Sequence, residues 1–183
     1  MSALRDTGLF KRDVYCPECG AEIKIQEGVE QVCPSCSTRY RYYPEKRIVS
    51  QLVFDRHNLD SFVYELNATI VIGRDSQGFV NIHYEDFNSI REYPNIRTHN
   101  ISDPHARVRV EKVSLSRKVN GSKELITKLK CSIEDALSKN GTCVNDQKLK
   151  TKQIWELKNN DNIILAPNCD RYVKITYKER FAG

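Results

Sequence analysis

No stretch of this 183-residue sequence is apolar for long enough to span a membrane, and the polar, charged residues before Val14 carry no signal-peptide pattern. These two absences argue against a membrane protein and against a secreted one. We therefore expect a soluble, cytoplasmic protein with no membrane partner. Internal repeats and low-complexity tracts are absent too, and the length predicts one or two domains.

The sequence also lacks a dense block of basic residues. Residues 1–47 hold eight Lys and Arg against seven Asp and Glu, and the remainder holds 21 against 17, which divides the net charge of +5 into +1 and +4. A positive excess this mild and this evenly spread is weak support for a nucleic-acid partner.

Catalytic motifs are missing as well. The chain contains no G-x-S-x-G, no Walker loop, no H-E-x-x-H and no recognisable pair of carboxylates. His57, His83 and His99 have no cysteine or serine that the sequence places near them. These absences favour a binding module over an enzyme.

Cysteine, in contrast, is frequent. Four of the seven cysteines form two C-x-x-C pairs separated by 13 residues, and the ligands are Cys16, Cys19, Cys33 and Cys36. Each pair forms a tight turn that aims two thiolates at one ion, and four thiolates complete the tetrahedron of one structural Zn²⁺ with no open position. A redox dithiol is the alternative, which two pairs at this spacing disfavour. Cys131, Cys143 and Cys169 are expected to be small buried hydrophobes.

The cysteine pairs lie in a short module, residues 14–43, which resembles a zinc ribbon. Ile23 and Ile25 alternate with polar residues as in a short strand, and a module of this size needs its metal to fold. The run Arg39–Tyr43 interleaves basic and aromatic residues, as single-strand binders do, so a nucleic-acid-binding regulator that uses the ribbon is an alternative function. The simpler interpretation is that the tyrosines cover the ribbon core and the arginines face solvent.

After a short linker at residues 44–47, the chain changes to short alternating segments separated by turn signals. Segments of this kind begin near Ile48 and recur to Tyr177, and Asn120-Gly121 is a hairpin signal. Thr151–Lys158 is the one segment that is compatible with a helical turn. Many short strands with regular turns predict an all-β sandwich or barrel.

Three loop motifs interrupt these strands: Gly73-Arg74 at a strand end, Ser102-Asp103-Pro104-His105 before a strand, and Asn140-Gly141 in a later turn. In this order and in an all-β context they resemble the forkhead-associated (FHA) domain, and the resemblance covers residues 48–180. It implies an FHA-like β-sandwich, preceded here by the zinc ribbon, that binds phosphothreonine peptides.

The residues themselves suit a phosphate, which carries nearly two negative charges and three acceptor oxygens. The resemblance assigns the phosphopeptide-binding roles to Arg74, Ser102, Lys139 and Asn140, with Asn140 on the peptide main chain. It assigns structural support of the site to Gly73, His105 and Gly141.

Two departures from the family pattern stand out. The residue after Ser102 is the acidic Asp103, which would repel phosphate if it faced the site, so a scaffold with a degraded pocket is a further alternative. The second departure is the long segment Asp86–Thr98, which lacks strand periodicity and is expected to be a surface loop beside the site.

The pairing of a ribbon with an FHA domain is similar to that of archaeal regulators of archaellum expression. That likeness implies a repressor-type regulator whose partner is a phosphorylated von Willebrand type A domain protein.

Overall fold

The computed structural model describes most of the chain, namely residues 14–24, 26–57, 59–85, 91–119 and 122–182. Within these residues it contains fourteen β-strands and no helix, so none of the described segments is a helix able to cross a membrane. The predicted all-β class is confirmed. The hairpin turn expected at Asn120-Gly121 lies outside the described residues.

The strands are, in chain order, β1 (Val14–Tyr15), β2 (Glu22–Ile23), β3 (Glu30–Val32), β4 (Arg39–Phe54), β5 (Phe62–Glu65), β6 (Ile70–Arg74), β7 (Val80–Tyr84), β8 (Ala106–Val119), β9 (Ser122–Asp135), β10 (Thr142–Val144), β11 (Gln147–Lys148), β12 (Ile154–Glu156), β13 (Asn162–Leu165) and β14 (Val173–Ala182).

The described residues divide into two compact units. The first unit takes the chain up to Pro44 together with Val113–Ile126, and the second takes Glu45–Lys112 and the chain from Thr127 onward. The ends of β8 and β9 thus belong to the first unit, although they lie inside the predicted range 48–180. The boundaries 14–43 and 48–180 themselves stay predictions.

The first unit is built from two short antiparallel pairs. Strand β1 pairs with β2, and β3 pairs with the first residues of β4 in the register Glu30↔Arg41. Its small core has six buried members, which are Cys16, Ile23, Cys33, Tyr40, Tyr42 and Leu125. Because only six side chains form this core, apolar burial alone stabilises the unit little.

The second unit is a β-sandwich. Its strands are hydrogen-bonded in the order β11, β10, β13, β14, β4, β9, β8, β6, β7, with β5 also paired to β4 and β12 to β9. Because β4 and β9 are neighbours, the two layers belong to one continuous sheet. The pairing of β4 with β14 is the longest, running from Phe54↔Ile175 to Arg47↔Ala182. Alternate residues of each strand point inward, as the period of a pleated strand requires.

The inward-facing residues form one continuous core. Strand β6 contributes Ile70 and Ile72, and the facing β14 contributes Ile175 and Tyr177, all fully buried. Cys131 and Cys143 are buried as free thiols, as expected, and Cys169 is half-buried. The strands that end at the candidate phosphate site are therefore held by the largest core of the described chain.

One local prediction is wrong. Residues 154–156, inside the expected helical turn, form β12 and pair with β9 in the register Trp155↔Ile133. Trp155 packs against the core from this position, so tertiary pairing overrides the local pattern.

In the described part of the expected surface loop Asp86–Thr98, residues 91–98, five residues are exposed and none belongs to a strand, but the segment is hydrogen-bonded to the sheet. This segment lies along β7, with bridges Ile82↔Glu92 and Phe79↔Arg97, and Val80 N–H donates to Ile96 O at 2.8 Å. Thr98 is buried. The segment lacks strand periodicity because turn residues such as Asn95, at φ 57°, interrupt the pairing.

Candidate functional site

His105 connects the two loops that carry the predicted phosphate-binding residues. Its Nδ1 accepts the backbone N–H of Ser102 at 2.9 Å, so Nε2 carries the proton and donates to Gly141 O at 3.0 Å. The ring is fully buried, and burial lowers the pKa of His105 although the Gly141 carbonyl and Asp135 oppose the shift. The histidine is therefore a neutral cross-brace between the loops.

The same two loops bring three of the predicted residues together. Ser102 Oγ accepts the backbone N–H of Lys139 at 2.9 Å, which leaves the Ser102 hydroxyl hydrogen available to a ligand. The amide of Asn140 donates to Asn100 O at 2.5 Å and keeps its own carbonyl oxygen for a peptide N–H. The side chain of Lys139 is exposed.

Arg74, the fourth predicted residue, lies at the end of β6 beside the Ser102 loop. Its Nε donates to Ile101 O at 2.7 Å and its Nη1 donates to Asp75 O at 3.2 Å. These bonds orient the guanidinium and leave Nη2 and part of Nη1 for a ligand. No described carboxylate lies within ion-pair distance of it. Residues 100–102 are therefore hydrogen-bonded to Arg74, Lys139 and Asn140, and Ser102 belongs to the same segment.

Asp103, the acidic departure from the family pattern, does not share the face of Arg74. A Cβ placed on Gly73 would lie 2.3 Å from Asp103 Oδ1, so the carboxylate rests directly on the Gly73 backbone. Successive residues of a strand face opposite sides, so the Gly73 side of β6 is opposite the Arg74 side. A side chain at position 73 would collide with Asp103, so this position requires glycine. The Asp103 carboxylate therefore lies on the side of β6 opposite Arg74.

Asp135 supports the site, and the sequence interpretation missed it. It lies at the end of β9, where its carboxylate accepts Ser138 N–H at 2.9 Å and the hydroxyls of Ser138 and Thr142 at 2.6 and 2.8 Å. This network holds the turn that presents Lys139 and Asn140. The spacing Asp-x-x-Ser is ordinary side-chain-to-backbone turn chemistry and is a signal that could have revealed it.

The four predicted metal ligands form a compact cluster in the first unit. Their Sγ atoms all lie within 4.8 Å of one another. Cys16 Sγ lies 3.6 Å from Cys36 Sγ, and Cys19 Sγ lies 3.7 Å from Cys33 Sγ. A tetrahedron with Zn–S bonds of 2.3 Å has S···S edges of about 3.8 Å, so these distances fit one Zn²⁺.

The two cysteine turns are built alike. Gly20 N–H donates to Cys16 O at 2.7 Å and Ser37 N–H donates to Cys33 O at 2.9 Å, and both donors have positive φ, 73° and 60°. Cys16 N–H and Cys33 N–H also donate back to the residue that follows each turn, at 2.8 Å in both cases. This repetition places one buried and one exposed thiol on each turn.

The electrostatics of the cluster also call for a cation. Burial alone would raise the pKa of Cys16, but hydrogen bonds from Tyr40 and from backbone N–H groups lower it to about 6. At Cys19 a backbone hydrogen bond from Ala21 lowers the pKa, but burial and the neighbouring cysteines outweigh it and raise the value to about 12. Hydrogen bonds with Thr38 also lower the pKa of Cys36. The protein alone therefore favours the thiolates of Cys16 and Cys36 and opposes that of Cys19, and a divalent ion would favour ionisation of all four.

The basic and aromatic run Arg39–Tyr43 is split between core and surface. Tyr40 and Tyr42 are buried, with 4% and 5% of their surface exposed, whereas Arg39 faces solvent near the Glu30 carboxylate at 3.4 Å. Stacking on nucleic-acid bases requires exposed rings. These two tyrosines do not supply them.

Comparison with protein families gives one assignment. The model of the FHA domain matches residues 70–166, which are 97 of the 183 residues and include Arg74, the Ser102–His105 motif and Asn140-Gly141. None of the curated proteins compared with the chain matches its sequence.

Solved structures with a similar fold include the yeast Pml1 splicing factor, at 22% identity and a TM-score of 0.50 over 74% of this chain and 83% of that one. The FHA domain of an Arabidopsis thaliana hypothetical protein matches at 22% identity and 0.43, over 74% and 86%. The FHA1 domain of yeast Rad53 matches at 14% and 0.44, over 73% and 78%. At these identities the likeness concerns the fold.

Proposed function

Because the chain belongs to the FHA domain family, whose members generally bind phosphothreonine in partner proteins, we propose that it binds such a partner through Arg74, Ser102, Lys139 and Asn140. The observation that carries the proposal is the hydrogen-bonded convergence of these residues on two loops braced by His105. Arg74 supplies a fixed, unneutralised guanidinium, Ser102 a hydroxyl donor and Lys139 a second charge. Together they match the charge and the acceptor oxygens of a phosphate.

We propose further that the protein binds without catalysing a reaction. A serine nucleophile needs a base on its hydroxyl, and Ser102 has a histidine three residues away. Both ring nitrogens of His105, however, are bonded to backbone atoms, and Ser102 Oγ accepts from a backbone N–H. The pair therefore lacks the hydrogen bond that an activated nucleophile requires.

The cellular role belongs to the same proposal. The order of a metal-binding cysteine module followed by an FHA domain is similar to that of the archaeal regulator ArnA. We propose a cytoplasmic, repressor-type component of archaellum expression control that acts with a phosphorylated von Willebrand type A domain protein. What supports this is the module order, together with a cysteine cluster that fits one structural Zn²⁺.

The nucleic-acid alternative is less well supported, because Tyr40 and Tyr42, two of the three tyrosines in the basic and aromatic run, are buried. The alternative of a degraded pocket rests on Asp103, and its carboxylate lies against Gly73 and not beside Arg74. A gel-shift titration with varied salt tests the first alternative. Tight binding with a steep salt slope, lost in an Arg39→Ala/Arg41→Ala variant, would favour it over protein docking.

Calorimetry with a phosphothreonine peptide library and its unphosphorylated twin tests the proposed function. Arg74→Ala should weaken phosphopeptide binding by about 2–3 kcal/mol, because it removes a charge-assisted contact, and Arg74→Lys should rescue it only in part for lack of the planar fork. Arg180→Ala, which removes an exposed arginine paired with Glu65, is the matched control and should bind normally. Equal affinity of the wild-type protein for both peptide sets would refute the proposal.

A further inference from the structure

A second basic site lies in the sandwich unit, apart from Arg74. It is a cavity of about 200 Å³, open to solvent, between the loop after β4, the segment that lies along β7 and the start of β14. Its lining residues are Asp55, Arg56, His57, Asn95, Ile96, Arg97, Tyr172 and Lys174. The lining holds three cations and one carboxylate, a formal charge of +2 with the histidine neutral.

Both arginines of this cavity are held in place by a hydrogen bond from the Nε edge of the guanidinium group. Arg97 Nε donates to Gln77 O at 3.2 Å and its guanidinium lies over the Phe79 ring, 5.5 Å from the centroid. Arg56 Nε donates to Asp60 O. This is the pattern of Arg74, whose Nε is also bonded to a backbone carbonyl. Among the described residues no hydrogen bond occupies the terminal nitrogens of Arg56 or Arg97, so little side-chain entropy is lost when they bind a ligand.

The positive charge of the cavity is not neutralised from within. Among the described residues no carboxylate lies within ion-pair distance of Arg56, Arg97 or Lys174. The carboxylate of Asp55 accepts the backbone N–H of His57 at 3.3 Å. A site with fixed, unpaired cations on loops above a rigid sheet is suited to an anion.

A hydrogen-bonded path connects the cavity with the phosphate site. The amide of Asn140 donates to Asn100 O, and the amide of Asn100 donates in turn to Arg171 O at 3.3 Å. Thr98 Oγ1 donates to the same carbonyl at 2.8 Å, and the next residue, Tyr172, lines the cavity. Asn100 is thus hydrogen-bonded to the turn that carries Asn140 and to the loop that carries Arg171 and Tyr172. Both sites therefore lie at the same end of the sandwich.

We propose that this cavity binds a second phosphate group on the same partner segment whose phosphothreonine occupies the Arg74 site. The inference rests on the proposed function. Two guanidinium groups and a lysine offer more donors than the two oxygens of a carboxylate use, whereas a phosphate dianion matches both the donors and the formal charge of +2. The protein would then respond to multiple phosphorylation of its partner.

The test compares singly and doubly phosphorylated peptides by calorimetry, with phosphoserine moved one residue at a time over about six positions on each side of the phosphothreonine, a span of about 20 Å in an extended chain. At one or a few positions the second phosphate should raise affinity about tenfold. In Arg56→Gln/Arg97→Gln the gain should fall below about threefold, while affinity for the singly phosphorylated peptide stays at the wild-type value.

If the double variant melts abnormally, the test is repeated with Lys174→Gln, because Lys174 is exposed and its replacement disturbs no packing. Lys152→Gln is the control for loss of an exposed charge outside the cavity. No gain at any position, or a gain that survives both cavity variants, would overturn the inference. An equal gain from glutamate at the same position would overturn the preference for phosphate. Failure of the singly phosphorylated peptide to bind, or its indifference to Arg74→Ala, would instead overturn the proposed function.

Discussion

His105 illustrates how much of the candidate site depends on one buried residue. It has no contact with the expected ligand position, yet it satisfies a backbone donor of one loop and a backbone acceptor of the other. Replacing it would leave two buried backbone groups unpaired, each costing about 1–3 kcal/mol. The residue thus couples the stability of the sandwich to the geometry of the phosphate-binding loops.

This burial predicts a pH dependence of stability. Burial lowers the pKa of His105 in the folded protein below the value of about 6.5 in the unfolded chain. Well above pH 6.5 neither state binds the proton, so the contribution of His105 to stability is fully present. As the pH falls below 6.5 the unfolded chain takes up a proton that the folded protein binds less readily, so stability decreases. The melting temperature should therefore fall between pH 7 and pH 5.5.

A His105→Gln variant should be less stable at pH 7 and should show a flatter pH profile over the same range. His99→Gln, which replaces an exposed histidine on the neighbouring loop, is the matched control and should keep the wild-type slope. Thermal melts at closely spaced pH values measure both. An unchanged slope in His105→Gln would show that another group is responsible.

Strands β8 and β9 carry an ion-pair cluster next to the loops. Glu134 on β9, 9% exposed, receives Arg107 and Arg109 of β8 at 2.6 and 2.8 Å. Burial raises the pKa of Glu134, but the hydrogen bonds and charges of the two arginines outweigh it and lower the pKa. Because Asp135 follows Glu134 directly, this cluster helps to fix the position of the end of β9. The turn that carries Lys139 begins there.

We expect Glu134→Gln to destabilise the protein by about 1–2 kcal/mol, since it removes charge-assisted bonds between a buried carboxylate and two arginines, the half-buried Arg107 and the exposed Arg109. Glu85→Gln is the matched control. Its carboxylate also contacts Arg107, at 2.9 Å, but it is 54% exposed, so the change should cost no more than about 0.5 kcal/mol. Chemical denaturation at neutral pH measures both variants. Equal losses in the two would contradict the importance that we assign to burial.

The whole molecule consists of two units with different sources of stability. The sandwich unit has a large continuous core, whereas the described part of the first unit buries six core side chains, two of which are predicted metal ligands. We expect metal binding to supply much of the folding energy of the first unit. Four thiolates and Zn²⁺ together contribute about −2, which takes the +1 of residues 1–47 to about −1 and favours a protein partner over nucleic acid for the ribbon.

Removal of zinc should therefore affect the two units differently. A strong chelator should release one zinc per chain and unfold the first unit, while the sandwich unit still melts cooperatively. Lowering the pH should weaken zinc binding, because the ligands must be deprotonated. Cys16→Ser should abolish the site, and Cys169→Ser, outside the cluster, should retain it. Zinc release measured with a colorimetric indicator, alongside circular dichroism, checks this, and a chelated protein with an intact first unit would contradict it.

Much of this protein was predictable from its sequence because the signals are local. The C-x-x-C turns position their thiols within five residues, so spacing alone identifies Cys16, Cys19, Cys33 and Cys36. Alternation of apolar and polar residues indicates strands with one buried face, because the pleat has a period of two. Many such strands predict a sandwich. The three loop motifs identify Arg74, Ser102 and Asn140 because each lies next to the turn residues that shape its loop.

The tertiary structure decided what depends on residues distant in the chain. The direction of Asp103 is set by contact with Gly73, 30 positions earlier, and the strand at Ile154–Glu156 exists because β9 pairs with it. The second basic cavity has no sequence signature, because Arg56, Arg97 and Lys174 meet only through long-range strand pairing. Local chemistry is encoded in short motifs, whereas the neighbours of a side chain are determined by the packing of the whole sandwich.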